Sequence, residues 1–409
     1  MQKVLFISDG SPFSFNHSGA SSFKTSHLAL LNEIETLCVY IVCFPSAESA
    51  KIEIPDLDDR RLIVIHADFS PVSTPASFYK SVLKVFFKPG RFSIYALLFH
   101  SITQRNLSAI QNIVNDIKPD IIWAEHLQPF LLVSLLHRFK GKIIYSHHDF
   151  LWKLILIRRQ LRKDRIRAFL SQWIQKDAIK RKGNYIVGGA INELDEMLTI
   201  NKKSSTLYIP TLYPIMPVAF PQNPAANQPI RIVHFGSPQS TANRIGLKNL
   251  LIHIIPHLQN KINFECVIVG HPDKNNRELN WLLDQPNIIC TGYVADLSSV
   301  LRPLDIHIVP YDQPTGSRTR YAVALNHGQI LVAHRASVIG IDGLVHQENC
   351  LLENSFPAIV DRIITLYNNP QDQLRIAVNA KKWYDNTHTT KHQAAILKTW
   401  LSQNGMINE

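Results

Sequence analysis

Six prolines fall within twenty residues: Pro210, Pro214, Pro217, Pro221, Pro224 and Pro229. Such a segment holds neither a helix interior nor a central strand, because each proline removes a backbone donor and fixes φ. It divides the 409-residue chain into two halves, each long enough for its own core. On both sides short apolar runs alternate with longer helical patterns, which is how β/α units around a parallel sheet are written. Strands are expected at 3–8, 36–44, 61–66, 120–125, 142–146, 185–190 and 206–209, then at 230–235, 264–269, 288–291, 305–309 and 330–333. Helices are expected at 21–33, 151–182, 191–199, 246–258, 355–367 and 371–385. The fold class is α/β with two Rossmann-like domains: 1–212, a linker at 213–229, and 230–385. A last helix in 386–409 is free to cross back to the first domain. A cleft between the C-terminal edges of the two sheets is the expected site, since open α/β sheets bind ligands there.

Composition narrows the classes of function. With 45% hydrophobic and 18% charged residues the chain reads as an ordinary soluble globular protein. Its five cysteines, Cys38, Cys43, Cys266, Cys290 and Cys350, form no CxxC pair, so they read as small hydrophobes in a reducing cytosol. The opening MQKVLFISDG enters a strand without a leader pattern. No apolar run reaches the roughly 18 residues needed to span a bilayer.

The net charge of +11 is concentrated. Residues 151–182 hold eleven basic side chains against Asp164 and Asp177, a local excess of +9. One basic helical segment points to one anionic docking face, whereas a nucleic-acid binder would be basic throughout or carry a recognisable motif. Lys80, Lys84 and Lys88 share a helix face beside aromatics in 78–99, as either a lid or membrane-surface element or an ordinary amphipathic helix.

Candidate site residues gather at expected strand ends. The loop after the first strand carries only Gly10 and Gly19, which fails as GxGxxG but leaves a small-residue loop around Gly19 for close backbone approach. His126 ends the strand at 120–125, and His147-His148-Asp149 follows the next strand, placing His126, His148 and Asp149 on one edge. Histidine there can take a proton or orient a hydroxyl. No metal-ligand spacing is present, and none of these residues is read as a metal ligand. In 311–328 a turn around Pro314 and Gly316 precedes Arg318 and Arg320 at a helix start. Two guanidinium groups beside free helix N–H groups suit a diphosphate.

The second half resembles the nucleotide-binding half of the retaining family-four glycosyltransferases (glycosyl transferases group 1), whose two-Rossmann architecture is called GT-B. The matching pieces run in order through 230–385. They are His234-Phe235-Gly236-Ser237, the helix carrying Arg244 and Lys248, Val269-Gly270, Thr291-Gly292-Tyr293-Val294-Ala295-Asp296, Gly316-Ser317-Arg318-Thr319-Arg320, and Gly340-Ile341-Asp342-Gly343-Leu344. The first half resembles the family more loosely, through Gly19, His126 and His148-Asp149.

The resemblance implies transfer of a sugar, with retention and without a metal or other cofactor, from a UDP- or GDP-linked donor to a glycan or lipid-linked acceptor. It implies donor contacts at Gly236, Ser237, Arg244, Lys248, Gly270, Tyr293, Val294, Gly316, Ser317 and Thr319. Arg318 and Arg320 would grip the diphosphate, His126 would stand at the acceptor hydroxyl, and Gly19, His148 and Asp149 would line the acceptor side. One departure stands out: the family's ribose-holding glutamate falls at Val323, which accepts no hydrogen bond. A non-catalytic relative serving as a binding or partner subunit, and a sugar-nucleotide epimerase, are the alternatives. The partners implied are the donor, the acceptor and an anionic membrane surface through 151–182, with no nucleic acid. The implied location is cytoplasmic, peripheral on the inner face of the cell membrane.

Overall fold

The computed structural model describes residues 1–13, 19–44, 61–65, 69, 90–99, 101–158, 162–222, 228–236, 241–270, 283, 285, 287–313 and 319–408. The chain forms two compact units, Met1–Thr211 with Thr390–Glu409, and Leu212–Thr389.

The first unit is built on seven strands: β1 (Gln2–Asp9), β2 (Leu37–Phe44), β3 (Leu62–Val64), β4 (Ile121–Glu125), β5 (Lys142–His147), β6 (Tyr185–Gly188) and β7 (Ser205–Tyr208). Their order is β3-β2-β1-β4-β5-β6-β7, and every described pairing is parallel. β1 and β4 are continuous apolar runs because helices cover a parallel sheet on both faces. Val4 to Ile7 and Ile121 to Trp123 are accordingly buried. Leu5, Ile7, Ile122 and Tyr145 share a core with residues of the helices Gln104–Ile117, Leu127–Val133, Arg162–Lys182 and Ile191–Ile200. The last helix, Thr390–Gln403, lies against Gly19–Glu33. Trp400 Nε1 donates to Ser205 Oγ at 2.9 Å, and Lys142 Nζ to the Asn404 carbonyl.

The second unit has six strands: β8 (Ile230–Phe235), β9 (Phe264–Val269), β10 (Ile288–Gly292), β11 (Ile306–Val309), β12 (Ile330–His334) and β13 (Leu351–Glu353). They run in the order β10-β9-β8-β11-β12-β13, again parallel. In both sheets the strand order reverses beside the first strand, at β1/β4 and at β8/β11. Helices leave opposite faces there and open a crevice at the strand C-termini. β13, three residues long, is too short to carry a readable pattern.

Three local features differ from expectation. The basic segment 151–182 contains two helices, Leu151–Arg158 and Arg162–Lys182, rather than one. The helix expected at 246–258 begins at Thr241 and passes through a π-turn at Leu250–Ile254, where the Ile255 N–H bonds to the Leu250 carbonyl. Pro256 lacks an N–H, so the regular ladder cannot run through it, and the wider turn takes up the mismatch. The proline-rich stretch is not a free tether where it is described. The Met216 N–H donates to Asn326 Oδ1 at 3.0 Å, and Asn326 Nδ2 donates to the Pro214 carbonyl at 2.9 Å. Prolines forbid regular structure but still dock.

That docking closes over Gly328. The helix Arg320–Asn326 ends in a paired cap in which the Gly328 N–H reaches Leu325 O and the Gln329 N–H reaches Ala324 O. This cap requires the left-handed φ of +67° found at Gly328. A Cβ there would stand 2.7 Å from Val218 Cγ1 and 2.9 Å from Phe220 Cζ. Gly328→Ala is expected to lower stability in urea unfolding by about 2–4 kcal/mol, summing the left-handed penalty and the overpacking.

Candidate functional site

In the first unit the switch point is occupied by charge. Glu125, the last residue of β4, is fully buried, and four groups surround its carboxylate. His27 Nδ1 donates to Oε2 at 2.9 Å and Trp123 Nε1 to the same oxygen at 2.7 Å. Ser146 Oγ donates to Oε1 at 2.9 Å, and His148 Nε2 makes a short bond to Oε1 as well. Burial alone would raise its pKa, but His27 and His148 outweigh burial and hold it well below the usual carboxylate range.

The next residue, His126, turns the chain into the helix Leu127–Val133 with φ +84° and ψ 171°. A non-glycine residue in that region carries strain of about 1–3 kcal/mol. The conformation is tied down by His126 N–H to Ser146 O at 3.1 Å and by His126 Nδ1 to Asp9 Oδ2 at 2.6 Å. Asp9 also pairs with Lys24 Nζ at 2.6 Å through Oδ1. Burial works against the charge on Asp9, yet His126 and Lys24 keep its carboxyl far below the ordinary value. His126 is pushed up: burial lowers it, and Asp9 more than reverses that. Its side chain stays 33% exposed, so an imidazolium fixed through Nδ1 still reaches solvent. The His126 and His148 rings lie 4.9 Å apart. Behind them His147 Nε2 donates to Glu193 Oε2 at 2.8 Å, and Tyr145 stands 3.0 Å from His147 Nδ1.

In the second unit three strands end in left-handed glycines: Gly236 (φ +136°), Gly270 (φ +125°) and Gly292 (φ +70°). The Gly236 N–H bonds to Val269 O and the Gly270 N–H to Gly292 O, which ties the three turns into one edge. A Cβ on Gly236 would lie 2.4 Å from Asn243 Nδ2, so the close approach of that helix needs glycine. Arg244 and Lys248 are exposed four residues apart on the helix Thr241–Asn249, hence on one face. Tyr293 is 61% exposed, whereas Val294 packs into a small apolar cluster with Val233, Val267, Val269, Leu301 and Val323.

Thr319 precedes the helix Arg320–Asn326 without a side-chain cap bond. Arg320 is buried, and its charge helps hold His234 and His307 down to about 3, after burial as the larger cause in each. Arg320 is therefore a core-side cation of this edge rather than a surface one. Val323, at the position where the resemblance expects a diol-binding carboxylate, is 3% exposed inside the apolar cluster.

Of the residues singled out from sequence, His126 and His148 come together, and Asp149 is close enough to help raise His126. Gly19 is the first residue of its helix. Gly236, Gly270, Tyr293 and Val294 share the β8–β9–β10 edge. Ser237, Gly316, Ser317, Arg318 and the lysines at 80, 84 and 88 lie outside the described residues. Asp9, Lys24, His27 and Glu125 were missed. The available signal was an acid closing an otherwise apolar strand, Asp9 after FIS and Glu125 after IIWA.

The buried histidine sets a pH dependence. Burial, with His126 and Lys24 adding to it and Glu125 opposing, pushes His148 down to about 4. The folded value is below the ordinary 6.5, so the unfolded chain binds the proton more readily. Its contribution to stability is complete above the unfolded pKa and is lost as pH falls from 6.5 toward 4. His126 has the opposite sign: its contribution is complete below the ordinary value and is lost as pH rises through its raised pKa. His148→Gln keeps a donor to Glu125 but cannot titrate. Urea unfolding between these limits is expected to show an acid loss smaller by about 1–3 kcal/mol in the variant. An unchanged acid loss would place the titration elsewhere.

Residues 229–369 match the family model described as glycosyl transferases group 1. Among curated proteins none matches the chain. Solved structures align over nearly the whole length. Sucrose-phosphate synthase from Thermosynechococcus elongatus superposes with TM-score 0.68 at 14% identity, covering 99% of each chain. Anabaena HepE in complex with UDP-glucose superposes with TM-score 0.66 at 13% identity, covering 98% of this chain and 100% of that one. The lipopolysaccharide outer core galactosyltransferase WaaB gives TM-score 0.65 at 12% identity with the same coverage. At such identities the likeness is one of fold. Residues 229–369 thus match the glycosyl transferases group 1 model, in a chain that shares the two-Rossmann GT-B fold of these solved structures.

Proposed function

We propose that the protein transfers a sugar from a nucleoside-diphosphate donor to a hydroxyl of a glycan or lipid-linked acceptor, with retention of anomeric configuration. The observation that carries this reading is the glycosyl transferases group 1 domain over 229–369. The glycine-turned edge at Gly236, Gly270 and Gly292 lies within it. Departure of a nucleoside diphosphate needs positive charge aimed at the developing phosphate charge. Arg244 and Lys248 offer it from one helix face, and Arg320 supports the same edge from beneath. On this reading Gly236 and Gly270 admit the diphosphate to the backbone, and exposed Tyr293 stacks on the base. Because HepE is described with UDP-glucose, UDP-linked donors are the first to test.

The first unit then serves the acceptor. His126, cationic and fixed by Asp9, donates from Nε2 to a sugar or acceptor oxygen, and the strain in its backbone is what aims it. A second reading, a binding or partner subunit without turnover, is favoured by Val323. An apolar cluster fills the place of a diol acceptor, which forfeits about 1–3 kcal/mol of ribose binding.

Calorimetry with UDP and GDP separates the two readings: binding at micromolar to low millimolar concentration supports the transferase, and no heat at millimolar concentration leaves the subunit. Arg320→Ala is expected to weaken diphosphate binding by about 1.5–3 kcal/mol. Its thermal melt must be run alongside, because Arg320 is buried. His126→Ala is expected to lower turnover by about 10²-fold or more with donor affinity little changed. A loss of donor affinity instead would move His126 to the donor. The anomeric configuration of the product, read by proton NMR, decides retention.

A further inference from the structure

The helix Arg162–Lys182 is apolar on both sides. Ala168, Ser171, Ile174, Gln175, Ala178 and Ile179 face the core of the first unit. The opposite side should be polar, yet Ile166, Phe169 and Trp173 stand there at 52%, 66% and 44% exposure. Spaced by three and four residues, they form one stripe pointing straight away from the buried face. Large apolar side chains exposed singly are ordinary, but here three, two of them aromatic, are contiguous.

The flanks of the stripe say what covers it. Arg162, Lys163, Arg165, Arg167 and Lys180 are exposed around it, with Lys176 half-buried beside it. Among the described residues none of these six is in an ion pair. Asp177, the acid toward the far end of the same helix, is spent on Arg91, Arg181 and the Tyr95 hydroxyl. A second copy of this surface is a poor occupant, because a two-fold contact would bring like charges together. No described helix is long and apolar enough to cross a membrane, so the stripe calls for an interface rather than a hydrocarbon span.

We propose that Ile166, Phe169 and Trp173 insert into an anionic lipid bilayer surface, with the helix lying in the plane of the headgroups and its flanking cations on the lipid charge. Aromatic bodies at headgroup depth with arginine and lysine beside them are the chemistry of an interfacial helix. Leu154, Ile155 and Ile157 are half-buried in the preceding helix, and only Leu156 among the four is exposed. The proposal stands apart from the transferase reading, since lipid binding needs no donor.

The test is sedimentation of the full chain with vesicles of phosphatidylcholine plus phosphatidylglycerol, and with phosphatidylcholine alone. The chain is expected to pellet with the anionic vesicles and not the neutral ones, with weaker binding as salt rises. The double variant Phe169→Ser, Trp173→Ser is expected to lose at least ~10-fold in partition at an unchanged melting temperature. Since both side chains are exposed, folding is not at stake. Undiminished binding of the double variant, equal binding to neutral vesicles, or no binding to either overturns the proposal. Concentration-dependent dimerisation abolished by the same variant, without vesicle binding, would give the stripe to a second copy instead.

Discussion

Everything at the candidate edge of the first unit depends on one buried carboxylate. Glu125 sits at the end of a central strand with no access to solvent. An uncompensated charge there would cost several kcal/mol, so its neighbours are dictated. His27 comes from the first helix, Trp123 from the same strand, and Ser146 and His148 from the end of β5. One anion thus registers three elements against each other. It also brings His148 beside His126, whose backbone is held in a region that favours glycine. Asp9 repeats the device one strand away, using Lys24 and His126 as its partners. Two carboxylates at adjacent strand ends set both the geometry and the charge of the candidate acceptor side.

The second unit solves its version of the problem with backbone instead of charge. Three strand ends turn through left-handed glycines, and the N–H groups of Gly236 and Gly270 pair along the edge. Such turns leave room for an anion against the main chain, and nearby cations supply the field. Where a carboxylate for a ribose would be expected, Val323 is instead committed to the cluster of Val233, Val267, Val269 and Leu301. On the proposed reading, the side of this edge offered to an anion carries turned backbone and cations, while the side offered to a diol is apolar. That asymmetry is the main chemical question the protein poses.

Much of the fold is legible from residues alone, for a simple reason. Strands covered on both faces must be nearly all apolar, so VLFI, IIWA, KIIY and ILVA stand out in any reading of the chain. The switch points follow from strand order, and with them the edge on which His126 and His148 fall. Weaker signals failed where length or competition removed them. β13 has three residues, the π-turn before Pro256 breaks the helical period, and the proline-rich stretch packs by side-chain bonds that no composition reveals.

By itself the sequence determined the two β/α halves, the local excess of positive charge and the glycines at strand ends, because each depends on residues near one another in the chain. Only the tertiary structure decided which charges pair. Asp9 meets His126 across 117 residues and Glu125 meets His27 across 98, distances over which no spacing rule operates. It also decided which apolar residues of the basic helix are core and which are left outside. A helical period marks faces, and only the packed neighbours say which face is covered. The arginine at the start of Arg320–Asn326 shows the same division. Its position at a helix start was readable, but its burial beside His234 and His307 arises from β8 and β11, whose paired residues Ile232 and Ile306 are far apart in the chain and adjacent in the sheet.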